Sequence, residues 1–431
     1  MKIAIVGSGI SGLAVAHQLR GQAALTLFEA GNYFGGHTHT VDITLPTAQG
    51  PVTHGVDTGF LVFNERTYPK LIALFEQLQV ATAKSDMSFS VQTPGARPGQ
   101  PLEWSGTSLN TVFAQRGNLL KPDFWRMLRD LLRFNALATQ LAEQGQDAQL
   151  TQPLAQFLAA HQFSEAFSNW YLLPMLGCIW SCPVEQMLQF PVATMIRFCH
   201  NHGLIQVTNR PQWWTVVGGA KHYVNHIVAQ VPDRRLNSPV QRIERDHEGV
   251  TLWVNGQSER FDKVVLACHA PQALALLAQP SAQERITLGA LRTQPNRAVL
   301  HTDASVLPRH PRAWAAWNYQ RLAHPVGVAG AQPQGAPVCL HYLLNRLQPL
   351  PFAQPVLVSL NPLTPIDPER VMGEFDYAHP VFDLAAIAAQ RHVGALQGQQ
   401  HSYFCGAWTG YGFHEDGLAS GLAVAQLLRP Q

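Results

Sequence analysis

The first twenty residues change pattern twice. Residues 2–6 form a short apolar, β-branched run, residues 7–12 read GSGISG, and LAVAHQLR then repeats apolar positions at helical spacing. That order predicts strand, glycine turn and helix. A second strand, LTLFE, ends on Glu29. Farther along, residues 239–243, 250–254 and 261–267 read as strands, and residues 213–227 as a short strand, a turn at Gly218 and Gly219, and a helix. Near the far end SYFCGAW reads as a strand, TGYGFHEDG as a glycine-bearing loop, and LASGLAVAQLL as a helix packed through small residues. Strands alternating with helices predict an α/β fold.

The opening turn carries specific chemistry. Gly7 permits the tight turn, Gly9 lets the backbone approach a pyrophosphate, and Gly12 lets the helix pack closely on the strand, with Ile10 and Ser11 at the helix start where phosphates rest. Glu29, seventeen residues past Gly12, sits where a carboxylate accepts hydrogen bonds from ribose hydroxyls, with Ala30 beside it. The same N-terminus has a charged start and an apolar run, as an export signal does. Its three glycines fit a nucleotide loop better, so the chain is expected to be cytoplasmic.

Composition narrows the classes. The chain has 431 residues, 46% hydrophobic and 13% charged, which excludes disorder and implies a large core. Thirty basic against 28 acidic residues leaves a net charge of +2, so no nucleic-acid partner is expected. Six scattered cysteines read as buried thiols in a reducing compartment, and no metal site is expected at Cys178 and Cys182. The uncharged stretch 166–184 contains Pro174, Gly177 and Pro183 and reads as a buried wall, not a membrane span. The Pro- and Gln-bearing segment 325–337 reads as a mobile loop.

After Glu29 the chain continues AGNYFGGHTHT, which resembles the second glycine pair of the two-dinucleotide-motif flavoproteins, the superfamily of flavin amine oxidases, protoporphyrinogen oxidases and phytoene desaturases. The resemblance implies FAD as cofactor, with Gly35 and Gly36 along its diphosphate and His37 and Thr38 following. His37 stands where the superfamily frequently has Arg, and it is either a hydrogen-bonding imidazole at the phosphates or a surface histidine on a plain loop. It further places Val240 at the adenine. The segment around Gly406, Glu415, Asp416, Gly417 and Leu418 resembles the closing motif, where a helix N-terminus faces the flavin or the diphosphate, with Asp416 and Gly417 as its cap. The implied architecture is a two-dinucleotide-motif, Rossmann-like FAD-binding domain (1–79, 206–275 and 396–431) interleaved with a mixed α+β substrate domain (80–205 and 276–395).

The stretches DTGFLVFN, AWAAWNY, LNP and GYGFHEDGLASG together resemble a narrower group, bacterial NAD/FAD-binding flavoproteins that include desaturases of methyl-branched fatty acyl chains in phospholipids. That likeness implies dehydrogenation of a lipid acyl chain or another apolar small molecule. The six lysines, at 2, 70, 84, 121, 221 and 263, offer no counterpart to the lysine many amine oxidases of the superfamily hold near the flavin. Amine oxidation or another small-molecule oxidation is the alternative, and a non-catalytic flavin-binding accessory protein a second. Tyr411 and His414 are the candidate groups facing the flavin, with His414 either a proton acceptor or a hydrogen-bonded orienter of its loop. Asp57, Thr58 and Gly59 either touch the flavin or shape a turn. Trp180, Trp314, Trp317 and Asn318 are the pocket candidates, with core packing the alternative for the tryptophans. In residues 122–135, Phe124, Trp125, Leu128, Leu131 and Leu132 are expected on one helical face and Arg126, Arg129, Asp130 and Arg133 on the other. Such a face either enters the core or lies on the inner surface of a membrane.

Overall fold

The computed structural model describes residues 1–97, 100–146, 150–206, 210–322 and 338–429. The loop expected at 325–337 therefore lies outside the described residues. Five parallel strands, in the order Asp233–Arg235, Ala24–Phe28, Lys2–Val6, Lys263–Leu266 and Ser402–Phe404, make one sheet. Both of its faces are covered, as a parallel sheet requires. Ile3 and Ile5 point into a layer formed by helices Ile10–Leu19, Pro69–Gln77, Lys221–Ala229 and His414–Leu428. Ala4 and Val6 point the other way. They meet helices Ala270–Leu276, Ala282–Ala290 and Leu384–Gln390 and the antiparallel strands Val240–Arg245, Val250–Val254 and Gln257–Phe261.

The strand expected at 261–267 is two elements. Asp262 separates them, its carboxylate accepting the Lys2 N–H and its own N–H donating to the Lys2 carbonyl, so the chain leaves the antiparallel ribbon and enters the parallel sheet there.

A second sheet has seven strands, in the order Val371–Pro380, Thr293–His301, Leu357–Leu360, Cys339–Leu343, Trp317–Gln320, Phe89–Arg97 and Gln100–Ser105. All neighbours are antiparallel except Trp317–Gln320 with Phe89–Arg97. One face packs on a largely helical layer from residues 113–205 in the largest apolar cluster. The uncharged stretch 166–184 lies in this cluster as helices Glu165–Phe167 and Leu173–Trp180 joined by one π-helical turn. Among the described residues no helix is long and apolar enough to cross a membrane. Five of the six free cysteines are buried and Cys268 is half-buried.

Helix Pro122–Glu143 turns a different face inward from the one its sequence suggested. Phe124, Met127, Asp130, Phe134 and Ala138 are buried, whereas Trp125 and Leu132 are exposed. The apolar arc is wider than the contact, and the helix is rotated so that Asp130 enters the protein, where its carboxylate accepts the Ser164 N–H at 3.0 Å.

Buried histidines make the fold acid-sensitive. His301 and His341 both hydrogen-bond Ser359 Oγ at 2.6 Å, and burial holds His301 down to about 4 and His341 to about 3. His202, against the Phe198 carbonyl, is held by burial to about 4. Their folded values lie below the ordinary 6.5, so the unfolded chain binds more protons under that pH and stability falls on acidification. Asp57 and Asp416, raised by burial to about 6, act oppositely between their ordinary value and 6. From about pH 7 to about pH 5 each histidine costs roughly 2 kcal/mol and each carboxylate returns roughly 1 kcal/mol, so the histidines prevail. Calorimetry should show Tm falling over that range; a flat or rising Tm contradicts the assignment.

Candidate functional site

The loops that carry the predicted site leave the carboxyl ends of the parallel strands and meet in one crevice, the position where open α/β sheets bind ligands. Gly7 has φ +105°, and a Cβ there would sit 2.7 Å from the Ala267 carbonyl oxygen. A Cβ on Gly12 would lie 2.0 Å from the Gly7 carbonyl oxygen, so helix Ile10–Leu19 presses directly on the turn. Gly9 differs: it caps that helix in extended backbone geometry, and a Cβ there would meet nothing within 4 Å. On its far side stands the second glycine turn, since a Cβ on Gly36 would come within 3.1 Å of Gly9 Cα. Two stretches of bare backbone thus meet at a helix N-terminus, with open space beside Gly9.

Glu29 braces both turns. Its Oε2 accepts the Ser8 N–H at 3.1 Å and the Ser8 hydroxyl, its Oε1 accepts the Gly31 N–H at 2.9 Å, and Ser8 Oγ accepts the Gly35 N–H at 3.1 Å. Carboxylate oxygens accept more than one hydrogen bond, so Glu29 retains capacity for a ligand hydroxyl. Ala30 is exposed at the rim, Ile10 and Ser11 are buried below, and Val240 is buried just past Ser238, whose N–H donates to the Glu29 carbonyl.

The distant end of the chain closes the crevice. Helix His414–Leu428 lies along Ile10–Leu19 through small residues: a Cβ on Gly417 would fall 2.7 Å from Ile10 Cγ2, and one on Gly421 2.3 Å from the Ser11 carbonyl oxygen. Both helices advance in the same direction, so their partially positive N-termini share one space. This helix begins at His414, ahead of the expected cap. Asp416 lies inside it and acts on its N-terminus by accepting the Phe413 N–H at 3.0 Å. Gly417 and Leu418 are buried in the helix contact. Glu415 caps a different helix, accepting the Lys70 and Leu71 N–H groups at 2.9 Å each. Gly406 donates its N–H to Ser420 Oγ at 2.9 Å, fixing the strand end against the helix.

Around this crevice runs a wall of rings. The Tyr223 hydroxyl lies 2.6 Å from both Thr38 Oγ1 and His414 Nε2, and Phe60 stacks on the His414 ring at 3.9 Å. Burial holds His414 down to about 3, so it is a neutral imidazole. Its partners are Tyr223, Thr38 and Phe60. Tyr411 packs near Phe198 at 5.8 Å. Thr58 Oγ1 joins His39 and the Tyr377 hydroxyl, the latter at 2.7 Å, and Gly59 packs against the His37 carbonyl. Asp57 is turned inward: its carboxylate accepts Thr40 Oγ1, the Ala220 N–H and Gln348 Nε2.

His37 lies against Tyr377, His379 and His269, with centroids 5.0, 5.5 and 5.9 Å away. Its Nε2 is buried without a hydrogen-bond partner, and burial, then His379, His269 and His414, hold the ring well below its ordinary value. Sequence reading missed Phe60, Tyr223, His269, Tyr377 and His379. Only Phe375, Tyr377 and His379, alternating along one strand, carried a recognisable signal.

The four pocket candidates separate. Trp180 packs on Phe190 and Phe198, and Trp317 on Tyr342, all in the largest cluster; each indole Nε1 is buried without a partner. Trp314 instead belongs to a small cluster with Val306, Leu307 and Leu357, its Nε1 donating to the Pro308 carbonyl at 2.8 Å. Asn318, adjacent to Trp317 in a strand, faces the opposite side. Its amide is fully occupied by Ser90, Ala315 and His341, a structural pin and not a pocket group. Among the described residues no group of three or more His, Cys, Asp or Glu is placed to hold a metal.

Comparison with known proteins agrees with this arrangement. Residues 10–306 match the family model of flavin containing amine oxidoreductases. No curated protein matches the chain. The fold is shared with the CLA-producing fatty acid isomerase from P. acnes, at TM-score 0.65 and 15% identity over 99% of this chain and 98% of that one. It is shared equally with cyclohexylamine oxidase from Brevibacterium oxydans IH-35A, at TM-score 0.65 and 17% identity over 100% and 99%.

Proposed function

The chain belongs to the flavin-containing amine oxidoreductase family and is an FAD-dependent oxidoreductase; from that premise we propose that it dehydrogenates an apolar carbon chain, foremost a fatty acyl chain of membrane lipid. The crevice fits the cofactor: the open space at Gly9 suits a pyrophosphate, two helix N-termini favour its charge, and Glu29 suits a ribose. When bound, FAD takes a hydride equivalent from a substrate carbon as the neighbouring carbon loses a proton, and passes the electrons to an outside acceptor.

This chain's side chains would then orient substrate and exclude water. The faces of Trp180, Trp317, Tyr342 and Phe198 offer apolar wall, and His37, held neutral by burial, brings an Nε2 without a hydrogen-bond partner to the crevice. One observation carries the apolar reading: the carboxylates at the crevice are occupied. Asp57 is filled by Thr40 Oγ1, the Ala220 N–H and Gln348 Nε2, and Glu415 and Asp416 are committed to the N-termini of helices. The seven-stranded sheet also contains no lysine among its strands.

The test is anaerobic mixing of the flavin-loaded protein with a lipid extract and, separately, with a panel of amines. Lipid should bleach the yellow absorbance and yield acyl chains lighter by two hydrogens. Bleaching by an amine with lipid inert would replace this reading by amine oxidation, and bleaching by neither would favour the accessory role.

A further inference from the structure

Exposed apolar side chains are concentrated in one place. Of eleven large apolar residues exposed among the described ones, five lie between residues 109 and 132: Leu109, Leu119, Leu120, Trp125 and Leu132. Trp125 and Leu132 are seven apart on helix Pro122–Glu143 and so share a face. Trp125 Nε1 donates to the Leu119 carbonyl at 2.9 Å, which fastens the Arg116–Leu120 turn beside that face. Leu119, Leu120, Trp125 and Leu132 thus form one patch, and Leu109 lies shortly before them in the chain.

Cations accompany it along the chain. Arg116, Lys121, Arg126 and Arg129 lie in the same stretch, and its acids are Asp123, paired to the exposed Arg126, and the buried Asp130, paired to the exposed Arg129, which leaves two cations in excess. The whole chain carries only +2, so this excess is local. Leu120 and Leu109 are 87% and 78% exposed. Side chains standing that clear of their neighbours enter a fluid apolar phase readily, whereas a rigid protein partner would need a socket for each. Protruding leucines, an indole at the rim and flanking cations are the chemistry that an anionic lipid leaflet accepts.

We propose that this patch docks the enzyme on the surface of an anionic membrane, without spanning it. The proposal stands apart from the identity of the substrate. It is tested by sedimenting the flavin-loaded full chain with vesicles of phosphatidylcholine alone or mixed with phosphatidylglycerol. Binding should favour the mixed vesicles and weaken with added salt. Leu120→Ser with Trp125→Ser should lower partitioning about tenfold. Arg126→Gln with Arg129→Gln should remove the preference for phosphatidylglycerol, and Ile286→Ser, exposed elsewhere, should change nothing. Each variant should keep its flavin, and Leu120→Ser alone, at a side chain almost free of contacts, tests the patch should the double variant fold poorly. Equal binding to both vesicles, unchanged binding by the apolar variants, or a dimer that the same variants split would overturn the proposal.

Discussion

Gly9→Val should fold and purify colourless. The backbone at Gly9 is extended, with φ −65° and ψ 175°, a geometry valine adopts without strain, and no protein atom lies within 4 Å of the added Cβ. The substitution therefore leaves the sheet and its helices intact. What it fills is the open space beside Gly9 at a helix N-terminus, where a pyrophosphate must reach backbone N–H groups. A steric penalty of about 3 kcal/mol corresponds to a hundredfold weaker affinity. The measurement is the flavin-to-protein ratio with circular dichroism as the control for folding. A variant with native helicity and full flavin would place the cofactor elsewhere.

Gly421→Val has the opposite profile, with stability failing first. A Cβ there would stand 2.3 Å from the Ser11 carbonyl oxygen and 2.9 Å from Ala14 Cβ, and neither neighbour is the tip of a flexible side chain. The last helix must move off the first, at an overpacking cost of about 3 kcal/mol or more. Separating them also parts the two N-termini, so flavin affinity should fall with stability. Denaturant titration with and without added FAD reads both effects. Gly394→Ala, where nothing lies within 4 Å, serves as the comparison and should be nearly neutral. An unaltered midpoint for Gly421→Val would mean that the helices do not press together as described.

Much of this was written locally. The turn at Gly7, Gly9 and Gly12 needs only a strand before it and a helix after it, and Glu29 closes the next strand, so neighbouring residues alone reveal them. The loop before His414 was legible for the same reason. The partners of His37 were not, because Tyr377 and His379 arrive on a strand some 340 residues later in the chain, and nothing in either segment names the other. Helix Pro122–Glu143 misled because its apolar arc serves two surroundings, Phe124 and Phe134 inside and Trp125 and Leu132 outside. Trp314, Trp317 and Asn318 separate in space because proximity in sequence says little about which side of a sheet a residue faces.

The helix contact at Gly421 and Ser11 also sets a schedule. Ribosomes add about 5–20 residues per second, so the first helix emerges roughly 20 seconds or more before the partner that completes its groove is translated. Until then Ile10 and Ala14 lack their cover, and the nascent chain must be shielded from aggregation by other means. Flavin loading is thereby a late event in biogenesis, and a nonsense mutation ahead of codon 414 would yield polypeptide that never turns yellow.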